Sequence, residues 1–192
     1  MRVTAQSGYK VTINYMGILT ATGHRYIENP ALVRERLEHV IGALKDKDNT
    51  LEIVSGGAEG ADKLLVEAAQ NTNTPYTLYL PNNYYLKKYP KSVTPKQVLN
   101  AKKVHYSVIR EDNDKWLDAW TREKWWTDNF KRNKDMMAIS QNYIVVSPMR
   151  PRELAEQRKG GTAHAVKLLA TMRAKVIWIP DSLELKTVWV QL

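Results

Sequence analysis

Short apolar runs alternate along the chain with longer stretches whose apolar positions recur at helical spacing, and this alternation predicts strands separated by helices. Residues 15–20 read as a first strand. Residues 30–45 read as a helix, because Leu32, Val33, Leu37, Val40, Ile41 and Leu44 fall on one face. Asn29 is placed to cap that helix and Pro30 to occupy its first turn. A short buried strand over 51–55 precedes a second helix over 58–70, whose buried face carries Ala61, Leu64, Leu65, Ala68 and Ala69. The third strand covers 76–80 and ends at Pro81; a short helix over 95–102 and a fourth strand over 104–109 follow. The long helix predicted over 116–140 carries Trp126, Phe130, Asn133 and Met137 at helical spacing. A fifth strand (143–147), a helix (162–173) and a sixth strand (176–179) complete the pattern, and 188–192 is placed to add an edge strand.

Strands separated by helices imply parallel pairing with right-handed crossovers, which puts helices on both faces of one sheet. Ligands of such sheets collect beyond the carboxyl ends of the strands. Two glycine-rich turns stand at that end, Ser55-Gly56-Gly57-Ala58-Glu59-Gly60-Ala61-Asp62 and Gly160-Gly161-Thr162, and so does Gly23-His24-Arg25 after the first strand. Three separate loops are therefore expected to converge on one rim. A helix start presents unpaired N–H donors and a partial positive charge, and glycine lets an anion approach them closely. Neither turn has the G-x-G-x-x-G spacing of a dinucleotide fingerprint or the Gly-Lys-Ser/Thr of a Walker A loop.

Composition narrows the field. A chain of 192 residues can bury a continuous core without metal or disulfide staples, so 1–192 is expected to be a single domain, with 82–135 as a basic aromatic insert. Cysteine is absent, which removes disulfides, thiolate zinc sites and a cysteine nucleophile; His24, His39, His105 and His164 show no metal-ligand spacing. No metal and no cofactor is expected. The apolar stretch 11–21 is broken by Thr12 and Asn14 and is too short to span a bilayer. With no signal-like segment in sight, a cytoplasmic protein without a membrane partner is expected. Absent cysteine and abundant aromatics fit a small accessory or viral protein as well as a bacterial one.

The formal charge of +9 favours polyanionic partners. Residues 82–135 hold 13 Lys/Arg against 7 Asp/Glu, so most of that excess is local. Within them Tyr84, Tyr85, Lys87, Lys88, Tyr89 and Lys91 interleave rings and cations, as single-strand binders do, and Trp116, Trp120, Trp125 and Trp126 thicken the same region. Two readings of this strip stand side by side: stacking on single-stranded nucleic acid, or helical packing against a neighbouring helix or a homodimer partner, since Trp116 and Trp120 are four residues apart.

The order of motifs, from Gly23-His24-Arg25 through Ser55–Asp62 and Arg132-Asn133 with Met136 and Ser140 to Gly160-Gly161-Thr162-Ala163-His164-Ala165-Val166, resembles the YspA/YpsA branch of the SLOG superfamily. The DNA-processing protein DprA and the LOG-type phosphoribohydrolases belong to the same superfamily. The resemblance spans about 16–179, and it implies an α/β, Rossmann-like three-layer sandwich with a mainly parallel central sheet. It further implies a nucleotide or nucleotide-derived ligand, held by Ser55, Gly56, Gly57, Gly60 and Asp62 on one side, by Gly160, Gly161 and Thr162 at the phosphate, and by Arg132 and Asn133 from the long helix. Gly23, His24 and Arg25 would complete the rim.

The chemistry of these groups agrees. The amides of Gly161 and Thr162 suit phosphate oxygens, the Thr162 hydroxyl offers a further donor, and Arg132 or Arg25 a bidentate charged bond. In the hydrolase relatives a Gly-Gly-x-Gly-Thr-x-x-Glu motif holds a carboxylate over the ribose, and the equivalent position here is Ala165. The relatives' helix also carries acidic residues where this chain has Ala138 and Gln141. Cleavage of an N-glycosidic bond would then need Arg132 to position the ligand and Glu59 or Asp62 to supply the carboxylate. The connection 148–159, with Arg150, Arg152, Arg158 and Lys159 against Glu153 and Glu156, is read either as a lid over an anion or as a solvated loop.

Overall fold

The computed structural model describes residues 3–4, 10–11, 17–110, 122–157 and 160–192. Through them run β1 (Val3–Thr4), β2 (Lys10–Val11), β3 (Ile18–Gly23), α1 (Pro30–Lys45), β4 (Glu52–Ser55), α2 (Ala61–Asn71), β5 (Tyr76–Asn82), α3 (Tyr85–Lys88), α4 (Pro95–Leu99) and β6 (Lys103–Val108). They continue with α5 (Arg122–Ile139), β7 (Asn142–Val146), α6 (Pro151–Glu156), α7 (Gly161–Thr171), β8 (Lys175–Ile179) and β9 (Val188–Gln191). Residues 15 and 16 of the expected first strand, Trp116 and Trp120 of the expected long helix, and Arg158 and Lys159 of the 148–159 connection lie outside the described residues.

Seven strands form one sheet in the order β6-β5-β4-β3-β7-β8-β9, while β1 and β2 make a separate antiparallel pair. Every neighbour in the large sheet is parallel except β9, which runs antiparallel to β8. The fold is thus the α/β, Rossmann-like architecture expected. From β3 the chain builds outward through β4, β5 and β6, then returns to lay β7 on the other side of β3. The strand order reverses there, with Gly23 of β3 paired to Val146 of β7, and the carboxyl ends of strands at such a switch point are where ligands of open α/β sheets settle.

Side-chain alternation along each strand sorts the interior into two cores. Ile144 and Val146 of β7 join Ile177 and Ile179 of β8 under the buried faces of α1 and α2 (Val33, Leu37, Ile41, Leu65, Ala68). The intervening Tyr143, Val145 and Val176 turn the opposite way, onto Met137 of α5, Leu154 of α6 and Ala165, Val166 and Leu169 of α7. A sheet covered on both faces explains why its central strands read as apolar runs rather than as alternating ones.

Several local expectations are refined. Pro81 lies within β5, and the strand runs on to Asn82. The Asn29 side chain does not cap α1; its amide donates to the Asp181 carbonyl at 2.8 Å and ties the helix start to the loop after β8. The connection after β7 contains a helix, α6, with Pro151 in its first turn and Leu154 completely buried. Leu154 anchors that segment to the core, which a solvated loop would not do.

Candidate functional site

Gly23, the last residue of β3, leaves the sheet between β4 and β7. A Cβ there would collide with Ala61 at the start of α2 and would lie 2.8 Å from Val146 Cβ, so only glycine permits this crossing. The turn 23–25 then touches both glycine-rich segments. The Ala61 amide donates to the His24 carbonyl at 3.1 Å, and the Thr162 hydroxyl donates to the Gly23 carbonyl at 2.7 Å. Asn133 of α5 donates to the Gly161 carbonyl at 3.2 Å. The three loops that the sequence sends to the rim therefore meet, and α5 braces them from one side.

The first glycine turn is folded largely around itself. The Ser55 hydroxyl donates to the Asp62 carbonyl at 2.8 Å and accepts from the Gly57 amide at 3.2 Å, while the Gly57 carbonyl accepts from Val93 at 3.0 Å. Gly60 has φ of +83° and packs against the backbone of His24 and Arg25, where no side chain would fit. Ser55, Gly56 and Gly57 are buried. The Ser55 hydroxyl and both main-chain polar groups of Gly57 are thus engaged in holding the turn together.

Gly56 has a further neighbour. A Cβ on it would occupy the position of the Arg132 guanidinium, which reaches across from α5 and meets the Asp62 carboxylate at 3.2 Å. Both partners are more than nine-tenths buried, and the Ala58 amide adds a long bond to the same carboxylate oxygen. Burial raises the Asp62 carboxyl above its ordinary range, against the opposing pull of Arg132, the Ala58 amide and Arg25. Of the two carboxylates named from the sequence, Asp62 is thus engaged with Arg132, whereas Glu59 is exposed at the tip of the turn.

The second turn differs. Gly160 has φ of +120°, and a Cβ added at either Gly160 or Gly161 would meet nothing within 4 Å among the described residues. It opens directly into α7, whose first backbone N–H groups have no partner inside the helix. The Thr162 hydroxyl proton is committed to Gly23, so this side chain acts as a strut and its backbone N–H remains the donor to the rim. His164, one turn on, stacks on Phe130 with ring centroids 4.0 Å apart, and burial with Lys134 and Lys167 nearby keeps its imidazole pKa below the usual value. Ala165, the position at which the resemblance to LOG-type phosphoribohydrolases would place a glutamate, is completely buried.

Among the described residues, three buried side-chain nitrogens on the elements that meet here, His24 Nε2, Arg132 Nε and His164 Nδ1, have no hydrogen-bond partner. Buried polar atoms are nearly always satisfied, so each is an atom that a polar ligand or water would complete.

Local spacing did not reveal the environment of Arg25. Its guanidinium lies 5.5 Å from the Tyr89 ring centroid and 5.1 Å from that of Trp125. Tyr85 opens the single turn α3 and Tyr89 follows its end, with their rings 5.0 Å apart, and Tyr85 is almost wholly buried. Their separation by four residues was the available signal that these rings pack together. Of the basic aromatic strip, Tyr84 and Tyr85 point inward, while Lys87, Lys88 and Lys91 are exposed.

No protein-family model and no curated protein sequence matches the chain. Among solved structures it is similar to DNA processing protein A (DprA) from Streptococcus pneumoniae, with 17% identity and a TM-score of 0.54, covering 87% of this chain and 51% of that one. It is also similar to DprA from Helicobacter pylori, solved for its single-stranded DNA binding mode, with 15% identity and a TM-score of 0.57 over 87% of this chain and 66% of that one. A third similar structure is the structural-genomics target TM1055, with 12% identity and a TM-score of 0.52 over 84% of this chain and 73% of that one. The chain spans about half the length of the Streptococcus protein. It shares the fold of these structures, in keeping with the resemblance carried by the order of motifs. Among the described residues, no helix is long and apolar enough to cross a membrane.

Proposed function

We propose that this protein binds a nucleotide or nucleotide-derived molecule at the switch point between β3 and β7, with a phosphate resting on the amide hydrogens that open α7. The observation carrying this reading is that, among the described residues, nothing fills the space a Cβ would take at Gly160 or Gly161, at the start of a helix tied to the 23–25 turn through Thr162. The helix dipole and free N–H groups favour an anion there, and a net charge of +9 steers one in. Each charge-assisted bond contributes about 1.5–3 kcal/mol, so two or three support micromolar affinity before ordering costs.

Binding fits the residues better than N-glycosidic cleavage does. The helix lacks the glutamate of the hydrolase relatives, and Asp62 and Arg132 are engaged with each other. A second reading, binding of single-stranded nucleic acid, draws on the similarity to the Helicobacter DprA and on the exposed Lys87, Lys88 and Lys91.

A panel of nucleoside monophosphates, ribose 5-phosphate and an oligonucleotide separates these readings. The expected result is a rise in melting temperature with the monophosphates, following mass action, and no free base by chromatography. Release of base would establish the hydrolase reading. Tight oligonucleotide binding that falls steeply with salt, with no response to monophosphates, would replace the present reading with the nucleic-acid one.

A further inference from the structure

Beside the phosphate cradle, on the far side of the 23–25 turn, lies a cleft of about 190 Å³ whose lining includes Arg25, Glu59, Tyr85, Tyr89, Lys91 and Ser92. Gly23, which holds the start of α7, and Arg25, which lines the cleft, are two residues apart, so their Cα atoms are at most about 7 Å from each other.

Tyrosine rings wall the cleft, and Arg25 is fixed over Tyr89 and Trp125. Ser92 is almost completely buried; its Oγ sits near the Tyr85 hydroxyl without a hydrogen bond of good geometry. Flat aromatic walls suit a planar ring, and a buried hydroxyl without a hydrogen-bond partner among the described residues suits one with hydrogen-bonding edges.

Charges in the cleft discriminate among rings. Arg25 and Lys91 are donors only, which suits the adjacent O6 and N7 acceptors of guanine. Glu59 is exposed at the tip of the turn, and as a carboxylate it only accepts. Guanine presents two neighbouring donors, N1–H and the 2-amino group, to such a carboxylate. Adenine presents an acceptor at N1 and would face it with a lone pair.

Resting on the nucleotide reading above, we infer that this cleft is the base subsite and that it selects guanine, with Glu59 reading the donor edge and Arg25 and Lys91 the acceptor edge. The test is calorimetric titration of the intact protein and its Glu59→Gln variant with GMP, IMP, AMP and ribose 5-phosphate. Glu59 is exposed, so the variant is expected to fold.

GMP is expected to bind at least about tenfold more tightly than AMP or ribose 5-phosphate, with IMP in between for want of the 2-amino group. Glu59→Gln should bring GMP and AMP within about threefold of each other and leave ribose 5-phosphate binding unchanged or tighter. Equal binding of all four compounds by the unaltered protein, or a GMP preference that survives Glu59→Gln, would overturn the guanine subsite and leave the phosphate cradle standing. Failure of all four compounds to bind would overturn both.

Discussion

Replacing Arg132 with methionine is expected to lower stability at pH 7.5 by about 3–5 kcal/mol, and part of that loss should return at pH 5. The guanidinium fills the space that Gly56 leaves beside the Asp62 carboxylate, 3.2 Å away, and both groups are buried. Burial holds the Asp62 carboxyl above its ordinary range even with Arg132 present. The contribution of a carboxyl raised in this way is fully present below the unfolded pKa and is lost as pH rises through the folded one. Removing Arg132 takes away the main opposing influence and raises the carboxyl further. At pH 7.5 the variant must then keep a bare buried carboxylate or take up a proton against the solution, and at pH 5 the proton comes at less expense. Urea unfolding at the two pH values measures this. An Asp62→Asn change in the Arg132→Met background should flatten the pH dependence. A loss of equal size at both pH values would contradict the buried pair as its cause.

Gly161→Asp is expected to weaken nucleoside monophosphate binding by about a hundredfold while leaving stability unchanged or slightly higher. Among the described residues nothing lies within 4 Å of the position a Cβ would take, so the new side chain fits. A carboxylate in the first turn of α7 interacts favourably with the helix dipole by about 0.3–1 kcal/mol, yet it occupies and repels the place of the phosphate. Gly161→Ala serves as the comparison and should retain binding within about threefold. Calorimetry and thermal melting together separate lost affinity from lost fold. Unimpaired binding by Gly161→Asp would remove the helix start from the site.

Much of the architecture can be read from the chain because each element carries its own period. The helix over 30–45 matches α1 to the residue, since Val33, Leu37, Ile41 and Leu44 repeat over four turns. The six residues of α6 are too few to show a period, and the burial of Leu154 depends on neighbours from other elements. Strand order is a similar case. Alternating strands and helices imply a parallel sheet, but nothing local says that β7 returns across the sheet to lie beside β3.

The rim was legible for the same reason as the sheet: turns after parallel strands share an edge. Its internal wiring was not. The Arg132–Asp62 contact joins residues 70 apart in sequence, and Arg25 meets rings from two distant elements. Thr162 shows how a plausible phosphate donor can be diverted, because a hydroxyl has one proton and the Gly23 carbonyl receives it.

The most direct test of the phosphate cradle is a titration of ¹⁵N-labelled protein with ribose 5-phosphate, following the backbone amides in two-dimensional spectra. Saturable shifts concentrated at Gly161, Thr162 and Ala163, with smaller ones at Gly23 and His24, are the predicted result. Saturable shifts confined to other parts of the chain, with these amides unmoved, would contradict it.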